Sequence, residues 1–152
     1  NQEVETIKSI INSGEIKPQQ LKLEVTETFM LDNFVQGKKV LNNLKNIGAT
    51  IAIDDFGTGY SSLSYLHDPP LDTLKIDRAF INNIEEDKRS FQIVETIMSL
   101  SNTLDIDVVA EGIETEKQMS ILTNLGCDFC QGFHISKPLT STQTLDFIKN
   151  YN

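Results

Sequence analysis

Residues 51–63 read Ile51-Ala52-Ile53-Asp54-Asp55-Phe56-Gly57-Thr58-Gly59-Tyr60-Ser61-Ser62-Leu63: a short apolar strand that runs directly into two carboxylates and then a glycine-rich loop. Adjacent carboxylates at a strand end repel each other. Such a pair is tolerated when a cation holds it, because an uncompensated acidic cluster otherwise takes up a proton at a raised pKa. The plain alternative is an Asp-Asp turn start with glycines bending the chain. What the other strands carry at the same place decides between them.

Just upstream, Leu21-Lys22-Leu23-Glu24-Val25-Thr26 alternates strictly, with Leu21, Leu23 and Val25 on one face and Lys22, Glu24 and Thr26 on the other. A helix over 4–13 closed by Gly14 precedes it. A second helix follows at about 35–47, with Val40, Leu41, Leu44 and Ile47 on its buried stripe and Gly48 at its end. Downstream, a short helical piece is expected near 61–66, stopped by Pro69-Pro70. A strand over 73–77 comes next, then a helix over 89–104 with Ile93, Ile97, Leu100 and Leu104 at spacings of three and four, and a strand over 107–111. Thr115 with Gln118 makes a capping box for a helix that Gly126 closes. A strand over 129–133 and a helix over 141–150, with Leu145 and Ile148 facing inward, finish the chain.

Strand and helix therefore alternate at intervals of roughly 22 to 34 residues, the rhythm of parallel βα units. An open doubly wound sheet and a TIM-type (β/α)8 barrel both fit that rhythm. Leu23, Ile53, Leu74 with Ile76, and Ala110 fall on the parity that packs under helices. Glu24, Asp54, Lys75, Glu111 and Gln131 fall on the opposite parity, one per strand, near its carboxyl end. A doubly wound sheet buries both faces and has no reason to put a polar side chain at the matching place of every strand. A barrel gathers its chemistry there, at the mouth. The expected fold is thus an α/β barrel of which this chain holds about five βα units, the remaining strands lying before residue 1.

The chain has 152 residues and a formal charge of −9. It is long enough for a real core, and its acidity argues against long nucleic acid as a partner. A phosphate ester would need metal ions to supply positive charge. No run approaches the roughly 20 apolar residues of a membrane span, and no signal-peptide pattern opens the chain, so a cytoplasmic setting is expected. Cys127 and Cys130 form a lone Cys-x-x-Cys without a second pair, which reads as ordinary buried thiols rather than a zinc site.

Hard oxygen donors such as Glu24, Asp54, Asp55 and Glu111 suit Mg2+ or Mn2+, and the only histidines, His67 and His134, lie outside the strand ends. Two such ions bridged by one carboxylate polarise a phosphodiester and generate hydroxide for in-line attack. Asp54, on the inward parity with Asp55 beside it, is the natural bridge. Lys75 either stabilises the transition state and orients the water or forms a structural salt bridge. Gln131 can donate to a phosphate oxygen or satisfy backbone groups. Glu27 and Glu114, just past strand ends, are placed to cap the adjoining loop or helix. Asp55-Phe56-Gly57 matches the kinase metal-binding triplet without the companion motifs, and Gly57-Thr58-Gly59 lacks the lysine of a phosphate-binding loop.

Five ordered stretches then carry a resemblance. Leu23-Glu24-Val25-Thr26-Glu27, Asp54-Asp55-Phe56-Gly57-Thr58-Gly59-Tyr60-Ser61-Ser62-Leu63, Leu74-Lys75-Ile76-Asp77-Arg78, Ala110-Glu111-Gly112-Ile113-Glu114, and Gln131-Gly132-Phe133 with Ser136-Lys137-Pro138-Leu139 are similar to the successive motifs of the EAL domain. That family consists of bacterial phosphodiesterases that open cyclic di-GMP to linear pGpG. The resemblance implies that Glu24, Asp54, Asp55 and Glu111 are metal ligands, with Asp54 shared between two ions. It implies that Lys75 and Glu111 handle the attacking water, that Glu114, Gln131 and Asp77 complete the substrate contacts and the surroundings of the ligands, and that Glu27 steadies the loop from Phe56 to Ser62. A homodimer through this domain and upstream sensor or GGDEF domains are further implications. Phe133 stands where relatives commonly have tyrosine. The Glu-Ala-Leu signature and an asparagine ligand on the next strand are expected before residue 1. Two alternatives stay open: a degenerate EAL receptor that binds cyclic di-GMP without cutting it, and a structural half-barrel that associates through exposed strand edges.

Overall fold

The computed structural model describes residues 2–32, 34–57 and 70–151. The elements in order are α1 (Gln2–Asn12), a 3₁₀ turn (Pro18–Gln20), β1 (Lys22–Thr26), α2 (Glu27–Asp32), α3 (Phe34–Asn46), β2 (Thr50–Phe56), β3 (Thr73–Ile76), α4 (Arg78–Asn82), α5 (Lys88–Leu104), β4 (Asp107–Glu111), α6 (Glu116–Asn124), β5 (Phe129–Gln131) and α7 (Ser141–Asn150). All five strands are parallel, and they lie side by side in chain order, β1-β2-β3-β4-β5. A doubly wound sheet must reverse its strand order somewhere. These strands step one place in the same direction each time, as a barrel wall does.

The period-2 patterning sorts the faces as the sequence demands. Ile51, Ile53, Leu74, Ile76, Val108 and Ala110 are buried on the helix-covered face. They form two clusters: Met30, Leu41, Leu44 and Ile51 under α3, and a larger one joining β2, β3 and β4 to Val94, Ile97 and Met98 of α5 and Leu122 of α6. Each fully buried aliphatic side chain contributes about 1.5–3 kcal/mol, so this face holds the sheet. The opposite face carries Lys22, Glu24, Asp54, Lys75, Glu111 and Gln131. Lys22 lies along it, donating to Thr73 Oγ1 at 3.1 Å with its ammonium over the Phe129 ring.

Several expectations need correcting. Two short helices, α2 and α4, follow β1 and β3 where none was expected; six and five residues are too few to show a period. The apolar residues spaced along α5 do meet the core, Ile97 within the larger cluster and Ile93, Leu100 and Leu104 packed against it, and the buried face also takes in Ser90, Val94, Met98 and Ser101. The fifth strand stops at Gln131 instead of 133. Leu145 and Ile148 of α7 do not face inward: they are 59% and 65% exposed. Helical spacing tells which face is apolar and not what covers it, and no described residue covers this one. The expected piece at 61–66 lies outside the described residues. Cys127 and Cys130 are free thiols, half-buried beside the larger cluster, and burial pushes the Cys127 thiol up to about 12. No described helix is long and apolar enough to cross a membrane.

Candidate functional site

The carboxyl ends of β1, β2 and β4 bring Glu24, Asp54 and Glu111 around the ammonium of Lys75 from β3. The Lys75 ammonium lies 2.8 Å from Glu24 Oε2, 3.0 Å from Asp54 Oδ1 and 2.8 Å from Glu111 Oε1. Its side chain is 9% exposed, against 46% for Glu24. Burial alone would lower the lysine pKa. The hydrogen bonds and charges of Glu111, Glu24 and Asp54 outweigh that and hold it above its ordinary 10.5, so Lys75 stays an ammonium.

Adjacent residues of a regular strand point to opposite faces, but the strand is not regular at Asp54-Asp55. The pairing of β2 with β3 shifts register between Ile53 and Phe56, and Asp55 takes a left-handed backbone at φ 55°. This is a bulge. Asp54 reaches Lys75, while Asp55 hydrogen-bonds with Asp77 beyond the end of β3. Although Asp55 reaches solvent, partial burial pushes its carboxyl up, helped by the charges of Asp54 and Asp77 and that hydrogen bond, against a smaller downward pull from Lys75. Asp77 also caps α4, accepting from Ala79 N at 2.7 Å.

Glu27, the first residue of α2, is buried, and its Oε2 accepts from Gly57 N at 3.0 Å. Gly57 is left-handed (φ 96°), and a Cβ there would come within 3.0 Å of the Phe80 ring. Glu27 thus pins the first turn after β2; the remainder of that loop lies outside the described residues. On the far side, Glu111 pairs in register with Gln131. A cleft of about 240 Å³ runs from there between Glu114, Arg78 and the exposed ring of Phe133. His134 sits away from the ammonium, 3.0 Å from Glu116 Oε2.

Two residues escaped the sequence reading. Gly132 packs so tightly that a Cβ would meet Ile113 O at 2.1 Å, and only its place in Gln131-Gly132-Phe133 hinted at it. Gln118 was read as a helix cap alone; its Oε1 accepts from both Glu114 N and Thr115 N.

Whether these residues suit a divalent cation can be tested on their oxygens. Asp54 Oδ1 is buried and ion-paired with the Lys75 ammonium at 3.0 Å. The carboxylate oxygens of Glu24, Asp54 and Glu111 gathered at these strand ends are hard donors and suit Mg2+ or Mn2+ in kind. The donors are spread around the ammonium: among the described residues no three His, Cys, Asp or Glu side chains close on a single point.

The EAL domain family model matches residues 2–138. The signalling protein YkoW of Bacillus subtilis is 45% identical over 142 residues, 93% of this chain and 18% of that protein. MucR of Pseudomonas aeruginosa, a bifunctional diguanylate cyclase/cyclic di-GMP phosphodiesterase, is 42% identical over 93% of this chain and 21% of its own length. The solved MucR phosphodiesterase in complex with c-di-GMP superposes with a TM-score of 0.89 over 93% of this chain and 57% of that one. BlrP1 of Klebsiella pneumoniae, solved with manganese and cyclic di-GMP, gives a TM-score of 0.82 at 36% identity, over 89% of this chain and 34% of that one. The chain therefore spans about a fifth of the length of these curated relatives.

Proposed function

The chain belongs to the EAL domain family, and from that premise we propose that its residues are the C-terminal portion of a domain that hydrolyses cyclic di-GMP to linear pGpG in the cytoplasm. The Glu-Ala-Leu strand and the asparagine ligand would precede residue 1, and the working form would be a homodimer within a longer signalling protein. The observation that carries this proposal is the buried ammonium of Lys75 among Glu24, Asp54 and Glu111, drawn from four strand ends to one mouth.

Glu24, Asp54, Asp55 and Glu111 would hold Mg2+ or Mn2+, with Asp54 offering the buried Oδ1 that faces Lys75. Bound there, the ions would supply positive charge at the phosphodiester and acidify a water. Glu111 would be placed to take a proton from the attacking water at a carboxylate oxygen, and Lys75, an ammonium, would fix the orientation of Glu111 and offset charge developing on the phosphate. Gln131 and Glu114 border the cleft that would receive the dinucleotide. Glu27 holds the loop start at Gly57, so that Asp54 and Asp55 keep their bulged geometry.

The test is Asp54→Asn in the full parent protein. Metal-dependent hydrolysis of cyclic di-GMP is expected to fall at least a hundredfold while the circular dichroism spectrum is kept. Unchanged turnover would remove Asp54 from the site; binding without turnover in the wild type would favour a receptor.

A further inference from the structure

We propose that Gln118 is a positioning residue for the carboxylates of Glu111 and Glu114, a role that rests on the phosphodiesterase reading above. Glu111 is the last residue of β4, and the chain then crosses the mouth to α6. At Gly112 the backbone is left-handed (φ 76°), and a Cβ there would come within 2.6 Å of Arg78 Cβ. Ile113 is buried and held on both sides: its N–H donates to Gln131 O at 3.1 Å and its carbonyl accepts from His134 N at 2.9 Å. The next two N–H groups converge on one side-chain atom. Glu114 N donates to Gln118 Oε1 at 2.8 Å and Thr115 N at 3.1 Å.

A capping box explains only the second of these bonds. In it, the third helical residue returns its side chain to the N–H of the cap, here Thr115, whose Oγ1 accepts from Gln118 N at 3.1 Å. The bond to Glu114, one residue before the cap, lies outside that motif. It ties the loop carrying both carboxylates to a side chain that is 5% exposed, on a helix anchored in the core by Leu122. Both lone pairs of the Gln118 carbonyl are thereby used. Without that acceptor, two N–H groups lose their partner together, and the loop must move to find water. Glu111 Oε1 sits 2.8 Å from the Lys75 ammonium, and a reacting geometry misplaced by even 1 Å loses rate steeply.

Three variants of the full parent protein decide the matter. Gln118→Met keeps the bulk and removes the acceptor; Gln118→Glu keeps an acceptor suited to a helix start; Thr115→Ala removes the cap and spares the bond to Glu114. Amide exchange at Glu114 and Thr115, followed without substrate or metal, is expected to speed up in Gln118→Met and to stay slow in Gln118→Glu. In turnover of cyclic di-GMP, Gln118→Met is expected to lose roughly tenfold in kcat with KM changed less than about twofold. Gln118→Glu restores most of that kcat, and Thr115→Ala keeps it within about twofold of wild type even if its Tm falls as far as that of Gln118→Met. A kcat for Gln118→Met near wild type, or an equal kcat loss in Thr115→Ala, overturns the positioning role. Wild-type protein that does not hydrolyse cyclic di-GMP would instead remove the phosphodiesterase reading, and the exchange rates would still judge the Gln118 clamp.

Discussion

Lys75 takes its importance from being one cation among three carboxylates on other strands, with little water around it. Removing it as Lys75→Met leaves those acids facing each other. The expected loss is roughly 1–3 kcal/mol, below that of a fully buried pair because Glu24 is nearly half exposed. The pKa of Lys75 is raised in the folded state, so its contribution is fully present below the ordinary lysine value of 10.5 and is lost as pH rises beyond it toward the folded value. Thermal melts of wild type and Lys75→Met should therefore differ by a constant Tm gap through neutral pH that closes only in strong alkali. A gap that closes near neutrality would mean the ammonium is not held as described. Gly132 makes a second case: Gly132→Ala places a methyl 2.1 Å from Ile113 O, and a loss of at least about 1–3 kcal/mol in chemical denaturation is expected. A Tm equal to wild type would show that the two loops part easily.

Helices and strands were legible to the extent that they repeat. Alternation in Leu21–Thr26 and at Ile51–Asp54 gave β1 and β2, and the one polar residue per strand end gave the mouth, because a period of two leaves no other way to sort the faces. The bulge was hidden in the same letters: Asp54-Asp55 looks like any acidic pair until the left-handed Asp55 and the shifted register break the alternation. The clamp of Gln118 on Glu114 was hidden likewise, since spacing cannot show a side chain reaching outside its helix. Caps were legible only in part: Thr115 announced its helix, whereas Asp87 did not. Asp87 accepts from Arg89 N at 3.1 Å and Ser90 N at 3.0 Å and starts α5. The Ser90 hydroxyl and these backbone bonds hold its carboxyl below the usual 3.8. A depressed carboxylate stabilises above its unfolded pKa and ceases to as pH falls through the folded one. Asp87→Ala should thus lower Tm at neutral pH, with the difference from wild type vanishing in strong acid. A difference that persists there would point to packing rather than capping.

For the molecule as a whole, the described sheet ends in an outer strand on each flank. Among the described strands, β1 and β5 each have a single neighbour, and Phe129, Leu145 and Ile148 are each more than half exposed. Unpaired strand edges beside an apolar helix face invite association. The 152-residue chain by itself is expected to self-associate at micromolar concentration, and Leu145→Lys with Ile148→Lys should shift it toward monomer in sedimentation velocity. Unaltered sedimentation would locate the contact elsewhere.

The strictly consecutive strand order has a consequence for how such a wall is made. Every new strand finds its neighbour already emerged from the ribosome, so the sheet can grow from one side as synthesis proceeds, without a late segment having to thread between earlier ones. Growth of this kind leaves a free margin at each stage, and along the described strands the mouth gains its charged groups one by one: Asp54 after Glu24, then the lysine that neutralises them, and only afterwards Glu111.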